Sequence, residues 1–378
     1  MGDSIHPFRL AIPQAVLDDL HRRLDATRWP DPATVGDWSQ GVPLDAIQAL
    51  CRYWREDYDW RACEAGLNAL GQFHTQVDGC DIHFLHVRSP EPDALPVILT
   101  HGWPGSVIEF LDVIGPLTDP RAYGDDPADA FHVVAPSLPG YGLSARPADR
   151  WSVPRIARAW VTLMRRLGYP RFVAQGGDWG SAVTNAIALT GAPEVAGIHL
   201  NMVVALPGPA DLADLSDMEK AALADLERYR RDGNGYAIIQ STRPQTIGYG
   251  LADSPAAQAA WIYEKFAEWS DCGGVPERAL SRDRMLDDIT LYWLTGTGAS
   301  SARLYWESFR DFSADPVTLP VACSIFPREL FRASRRWAER KYPNIVHWNE
   351  LERGGHFAAF EQPALFVEEL RAGFRPMR

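Results

Sequence analysis

No Cys-x-x-Cys pair occurs in this chain, and its five cysteines, Cys51, Cys63, Cys80, Cys272 and Cys323, are odd in number and widely spaced. That pattern excludes a disulfide framework and a zinc ribbon, and it makes a reducing cytoplasm the expected compartment. No apolar run approaches the roughly 20 residues of a membrane span. The start, Met1-Gly2-Asp3-Ser4-Ile5-His6, lacks the apolar stretch of a signal peptide and the Ser/Thr that myristoylation requires. No membrane anchor is therefore expected. Positive charge is in deficit: 37 Lys and Arg face 49 Asp and Glu, a net charge of −12. Nucleic acid and anionic membrane are not expected partners, because either would be met by a basic face. Internal repeats and low-complexity tracts are also lacking. What is present, 378 residues with 46% apolar composition, can bury a large core and suits one elaborated domain or two packed closely together.

Hydrophobic spacing divides the chain into four segments. Residues 1–88 form an N-terminal arm. Val16, Leu17, Leu20 and Leu24 lie at helical spacing with charged residues on the other face, and a second helix is expected from about Leu44 to Asp57. The aromatics around Tyr58-Asp59-Trp60 mark the arm as docked rather than loose. Phe73 to Val77 and Ile82 to Val87, joined at Asp78-Gly79, read as a hairpin entering a sheet. His83 and His86 stand at an odd offset on that strand and so face opposite ways, which argues against a metal pair. Residues 89–212 alternate short apolar runs (Val97 to Thr100, Phe131 to Ala135, Arg171 to Ala174) with helical patterns, the signature of a mostly parallel sheet. Residues 213–316 read as successive helices, at Met218 to Arg231, Pro255 to Ser270 and Asp283 to Leu294, and such an insertion is a lid. The core resumes over 317–378 with Val321 to Phe326 and Ile345 to Trp348.

The chemistry concentrates at Gly176-Gly177-Asp178-Trp179-Gly180, between a strand and a helix. A small-x-nucleophile-x-small frame marks the strained strand-to-helix elbow of an α/β-hydrolase, with a carboxylate where most such folds carry serine. The fold class expected is thus α/β: an α/β-hydrolase core with a helical lid insertion and an N-terminal arm. A carboxylate is already ionised at neutral pH, needs no base to activate it, and can open a strained or activated C–X bond to give an alkyl ester. The plainer alternative is an Asp capping a helix.

His101-Gly102-Trp103-Pro104-Gly105 follows a strand and should face Asp178 at the carboxyl edge of the sheet. The backbone N–H groups of Trp103 and Trp179 are the candidate oxyanion hole. His101 is expected to orient that loop and, with Pro104, to border the substrate pocket. The order nucleophile, acid, histidine places the base in the last strand-loop region. His356, in Arg353-Gly354-Gly355-His356-Phe357, sits in a glycine loop opening into a helix, whereas His347 lies inside a β run. Glu329, just past the preceding strand, is the candidate acid that orients His356. Its alternative is a carboxylate starting a helix over 329–340. Gly140-Tyr141-Gly142-Leu143-Ser144-Ala145 matches a dinucleotide fingerprint, but its proline-rich setting and the lack of a following acidic residue argue against it. No cofactor and no metal are expected.

These blocks resemble the microsomal-type epoxide hydrolases along the whole chain: Phe8 to Asp31, Tyr53-Trp54 through Arg61, Asp78-Gly79 to Phe84, His101 to Ser106, Pro136 to Ser144, Gly176 to Gly180 and Arg353 to Ala359. The resemblance implies that Tyr236 and Tyr305, on the lid, hydrogen-bond the epoxide oxygen. A phenol, with a pKa of about 10, suits that task because the departing alkoxide is strongly basic. Two departures from the better-known members are expected: an arm without a preceding membrane anchor, and a short segment between Tyr305 and Glu329 that leaves one pocket wall undefined.

The function expected is hydrolysis of an epoxide to a vicinal diol through an ester on Asp178. The fourteen tryptophans suit an apolar or aromatic epoxide, and a homodimer is left open. One alternative is a haloalkane dehalogenase, which would use the same aspartate but hold halide with an indole. Another is a binding module that keeps the fold without the chemistry.

Overall fold

The computed structural model describes residues 4–309 and 313–378. Residues 1–3, at the start of the leader, and 310–312, within the short segment after Tyr305, lie outside the described residues. Nine strands make one sheet among the described residues. They are β1 (Ile5–Pro7), β2 (Gln72–Val77), β3 (Cys80–Val87), β4 (Leu95–Thr100), β5 (Phe131–Pro136), β6 (Phe172–Gly176), β7 (Val195–Leu200), β8 (Val321–Ile325) and β9 (Ile345–Glu350). Their order is β1-β2-β3-β5-β4-β6-β7-β8-β9. The first three pair antiparallel with one another and onto β5, and every pairing from β5 to β9 is parallel. The structure is thus an α/β-hydrolase fold whose antiparallel edge is built by the arm. Strands β5, β6 and β8 are buried along their whole length. They are covered on both faces, so they read as unbroken apolar runs rather than as alternation.

The crossover that places β4 between β5 and β6 decides where the chemistry lies. Thr100, the last residue of β4, pairs with Gly176, the last residue of β6. The loop beginning at His101 and the elbow at Asp178 therefore leave the same edge side by side. Strands β7, β8 and β9 end at that edge too, and a parallel bridge between Arg328 and Gly355 joins the loops after β8 and β9.

The sequence pattern missed β7. Its Val195-Ala196-Gly197-Ile198-His199-Leu200 carries alanine and glycine, poor strand formers, in a slot where pairing to β6 and β8 overrides propensity. It also missed the arm helix Trp60–Ala69 and the lid helices Gly235–Thr242, Pro244–Asp253 and Gly298–Ser308. Glycine and proline dilute the apolar period in those lid stretches. The helix considered over 329–340 shrinks to Arg335–Ala338, so Glu329 lies in a loop.

Arm and lid brace one another. Tyr58 donates to Asp287 at 2.8 Å, Tyr53 to Asp283 at 2.8 Å, and Arg23 to the Asp253 carbonyl at 2.8 Å. One hydrophobic cluster runs through arm, sheet and lid and includes Trp54, Phe84, Val173 and Tyr263. All five cysteines are buried and unpaired. Among the described residues no helix is long and apolar enough to cross a membrane, and no group of three His, Cys, Asp or Glu could hold a metal ion.

Candidate active site

Asp178 opens the helix Asp178–Leu189 with φ of 48°, a left-handed conformation that costs a non-glycine residue about 1–3 kcal/mol. Glycines on either side of the cleft make it possible. A Cβ on Gly180 would meet the Thr100 carbonyl, and one on Gly102 would overlap the Asp178 carboxylate. The two motifs, far apart in sequence, thus interlock at their glycines. The turn lifts the Asp178 side chain above the sheet, where it remains 16% exposed. Its Oδ1 accepts the Trp103 N–H at 2.7 Å. Trp179 follows at the first turn of the same helix, whose N-terminal dipole favours negative charge on the elbow.

His356 faces the other carboxylate oxygen, with Nε2 3.3 Å from Asp178 Oδ2 and Nδ1 2.7 Å from Glu329 Oε1. His356 and Glu329 side chains are nearly inaccessible, at 2% and 1%. The Leu330 N–H fixes Glu329 Oε1 at 2.6 Å, and the His356 backbone N–H donates to the Trp269 carbonyl at 3.0 Å. Burial alone would hold the imidazole neutral. The charges of Glu329 and Asp178 and their hydrogen bonds outweigh that and raise its pKa well above the ordinary histidine value. His347 lies apart, bonded to Glu369 at 2.9 Å.

His101 ties two loops together. Its Nδ1 donates to the Gly102 carbonyl at 2.9 Å and its Nε2 accepts the Leu138 N–H at 3.1 Å, an arrangement that requires the neutral ring. Burial depresses its pKa to about 4, consistent with that tautomer. Pro104 is buried behind Trp103, to which a cis peptide joins it. Gly140-Tyr141-Gly142 seats the lid: Ser300 Oγ donates to the Gly140 carbonyl at 2.6 Å, and the Tyr141 hydroxyl to the Ser301 carbonyl at 3.0 Å. These contacts hold the helix that carries Tyr305.

Tyr236 and Tyr305 close the site from above. Their ring centroids are 5.8 Å apart; Tyr236 stacks on Trp103 at 5.0 Å, and Tyr305 meets Trp179 edge-on at 4.8 Å. Burial holds both phenols well above the ordinary tyrosine range, and repulsion from Asp178 adds to it. Both are therefore neutral hydrogen-bond donors.

Three further residues belong to this cluster and carried no motif in the sequence. Tyr229, on a π-helical turn Tyr229–Gly233, shares a 3.1 Å hydrogen bond with the Tyr236 hydroxyl. Trp269 packs edge-on to His356 with centroids 5.0 Å apart. Lys265, almost fully buried, places its ammonium 4.7 Å from the centre of the Tyr236 ring.

Known proteins resemble this chain along nearly its whole length. Residues 5–110 match a family described as epoxide hydrolase N terminus, and residues 96–244 match the alpha/beta hydrolase fold. A Stigmatella aurantiaca protein bearing the epoxide hydrolase name is 58% identical over 99% of this chain and 86% of its own length. The chain belongs to the epoxide hydrolase family. Epoxide hydrolase 1 of Sus scrofa is 35% identical over 98% of this chain and 88% of its own. Among family members of known structure, the Aspergillus niger epoxide hydrolase superposes with a TM-score of 0.91 at 33% identity, covering 99% of this chain and 97% of that one. The juvenile hormone epoxide hydrolase of Bombyx mori superposes with a TM-score of 0.90 at 29% identity, covering 100% and 95%.

Proposed function

We propose that the protein hydrolyses an apolar or aromatic epoxide to a vicinal diol through an alkyl ester on Asp178. The observation that carries this reading is one carboxylate with two kinds of neighbour, buried phenols on the lid side and an imidazole on the sheet side. In the first step Asp178 Oδ2 attacks an oxirane carbon, the C–O bond of the ring breaks, and the leaving oxygen takes a proton from the Tyr236 and Tyr305 pair. Oδ1, bonded to the Trp103 N–H, becomes the ester carbonyl oxygen. In the second step water attacks the ester carbon and gives its proton to His356. The negative charge that develops on Oδ1 is held by the Trp103 N–H together with that of Trp179. The acyl C–O bond then breaks, His356 passes its proton to the departing diol alkoxide, the second proton of the water leaves the Asp178 carboxyl to restore the phenol that gave its own in the first step, and the Asp178 carboxylate is regenerated.

The electrostatics favour this order. In the free enzyme the Asp178 charge helps to keep His356 protonated. Ester formation removes that charge, so the imidazole becomes more readily neutral at the stage that needs a base. The rings of Trp103, Trp179 and Trp269 around the carboxylate fit an apolar substrate. The unpaired cysteines fit a reducing cytoplasm.

A single turnover in heavy-oxygen water tests the proposal. Label should enter the Asp178 side chain, while the diol of that first turnover stays unlabelled. Label in the diol alone would mean direct attack by water, and halide release from haloalkanes faster than any epoxide hydration would replace the substrate class.

A further inference from the structure

The lid helix Pro255–Trp269 ends beside the loop that carries the base, and the chain just past it is stitched to that loop. The Trp269 carbonyl accepts the His356 backbone N–H at 3.0 Å, and Asp271 Oδ2 accepts the Gly354 N–H at 3.0 Å. The same aspartate faces Arg328, the neighbour of Glu329, at 3.7 Å. Lid groups therefore hold the backbone on both sides of Gly355. A Cβ on Gly355 would overlap the Trp269 carbonyl and crowd the Asp271 nitrogen and Glu361 Oε1. Its φ is not positive, so close approach rather than backbone angle requires glycine there.

Glu361 is the acid at this junction that the mechanism above leaves unused. It ends the short helix Ala358–Glu361 that follows the base, and its buried side chain turns back so that Oε2 accepts the Asp271 N–H at 2.9 Å. Asp271 lies beyond the end of the lid helix, so the helix itself offers its N–H no acceptor. Burial, with repulsion from Asp271, pushes the Glu361 carboxyl up to about 7 against the pull of backbone N–H groups and His356. A buried acid is costly, and this one fixes a segment that touches most of the reacting groups. The Trp269 ring lies 5.0 Å from that of His356, 5.1 Å from Tyr236 and 6.1 Å from Trp103.

Resting on the Asp178 ester reading, we infer that Glu361 is a positioning residue for His356: it latches the lid segment 269–271 onto the base loop, so that the base is in place only while that segment is seated. Ring opening draws little on this contact, because Asp178 is held by the Trp103 N–H and the two phenols pack on Trp103 and Trp179. Ester hydrolysis depends on it, because the imidazole must reach a water beside the ester carbon. A shift of the segment takes the Trp269 carbonyl from the His356 N–H and the Asp271 carboxylate from Gly354 together.

Rapid quench and intact mass separate the half-reactions, and hydrogen exchange reads the latch itself. Glu361→Leu should alkylate within a few-fold of wild type but hydrolyse its ester roughly 10²-fold more slowly, the scale of a misplaced catalytic group. Glu361→Gln, which accepts at one end and donates at the other as the protonated acid does, should restore hydrolysis to within a few-fold of wild type. Asp271→Ala removes the other stitch from a partly exposed site. It should show a milder form of the same split, and the double variant should be little slower than Glu361→Leu, because both bonds hold one segment. In the wild type the amides of Gly354, His356 and Asp271 should exchange at one common rate. Glu361→Leu should raise all three by about 10-fold while β6 stays unchanged, which general loosening would not do. Equal slowing of both half-reactions, wild-type ester hydrolysis in Glu361→Leu, or faster exchange at Asp271 alone would overturn the inference. Should the Leu variant fail to fold, Asp271→Ala decides by the same split, and wild-type hydrolysis there counts against the latch. A wild type that forms no alkyl-enzyme would sink the Asp178 ester itself, and the exchange rates would still decide the latch.

Discussion

The imidazole of His356 stands 3.3 Å from Asp178 Oδ2 and, through its other nitrogen, 2.7 Å from Glu329. The protonation state of the base therefore depends on whether the nucleophile carries charge. Neutralising Asp178 without changing its shape should lower the His356 pKa. In Asp178→Asn the imidazole should titrate at a lower pH than in wild type, followed by its NMR shifts. The stability linked to His356 should move with it. A raised folded-state pKa contributes stability that is fully present below the unfolded value and is lost as pH rises through the folded value, so in Asp178→Asn that loss should begin at lower pH. An unchanged titration would mean that Glu329 alone sets the charge.

Removing the base should uncouple the two half-reactions. His356→Gln should still be alkylated, because a carboxylate needs no base, and should then accumulate enzyme plus epoxide on intact mass. Glu329→Gln should show a milder form of the same defect, since it orients and charges the imidazole rather than accepting the proton. An unmodified His356→Gln protein after long incubation would remove His356 from this role.

Asp178, His356 and the Trp103 loop could be found in the sequence because each lies in a glycine frame that serves a backbone need, visible without neighbours. Glu329 required the order of the fold, and its alternative fell only when the structure showed a loop where a helix had been considered. Tyr229 left no mark. It is an ordinary polar residue at the junction of two helical stretches, and only the turn Tyr229–Gly233 brings its hydroxyl to that of Tyr236, seven residues on. Strand β7 was lost for a related reason: its Ala196-Gly197 pair is a poor strand former held in place by β6 and β8.

The lid is also anchored by charge. Glu219, at the start of the lid helix Asp217–Arg228, accepts from Arg336 at 2.6 Å, from Ser334 at 2.6 Å and from the Ser216 N–H at 2.9 Å. Those bonds, Arg336 foremost, depress its pKa to about 2 despite its burial. A lowered carboxylate pKa contributes stability that is present above the unfolded value and lost as pH falls through the folded one. Wild-type stability should therefore drop between about pH 4.5 and pH 2. Glu219→Gln should be less stable at neutral pH and lose less across that window. Urea midpoints measured at several pH values decide it, and parallel curves for the two proteins would remove Glu219 as the cause.

The phenols should act on ring opening alone. Tyr236→Phe and Tyr305→Phe should each slow alkylation by about 10²-fold while leaving hydrolysis of a preformed ester nearly unchanged. Each can partly replace the other, so the double variant should lose far more than either single change. Tyr229 adds a finer test. Its hydroxyl is 3.1 Å from that of Tyr236, and the two groups have one shared contact to satisfy. If Tyr236 spends its proton on the epoxide oxygen, Tyr229 must be the donor in that contact, and it then stabilises the charge left on Tyr236. A hydrogen bond to a charged group is worth about 1.5–3 kcal/mol, so Tyr229→Phe should slow alkylation by about 10-fold or more. The loss should be greatest for epoxides with the most basic leaving oxygen, and it should vanish in a Tyr236→Phe background. A Tyr229→Phe effect of equal size with and without Tyr236 would mean that Tyr229 serves only lid packing.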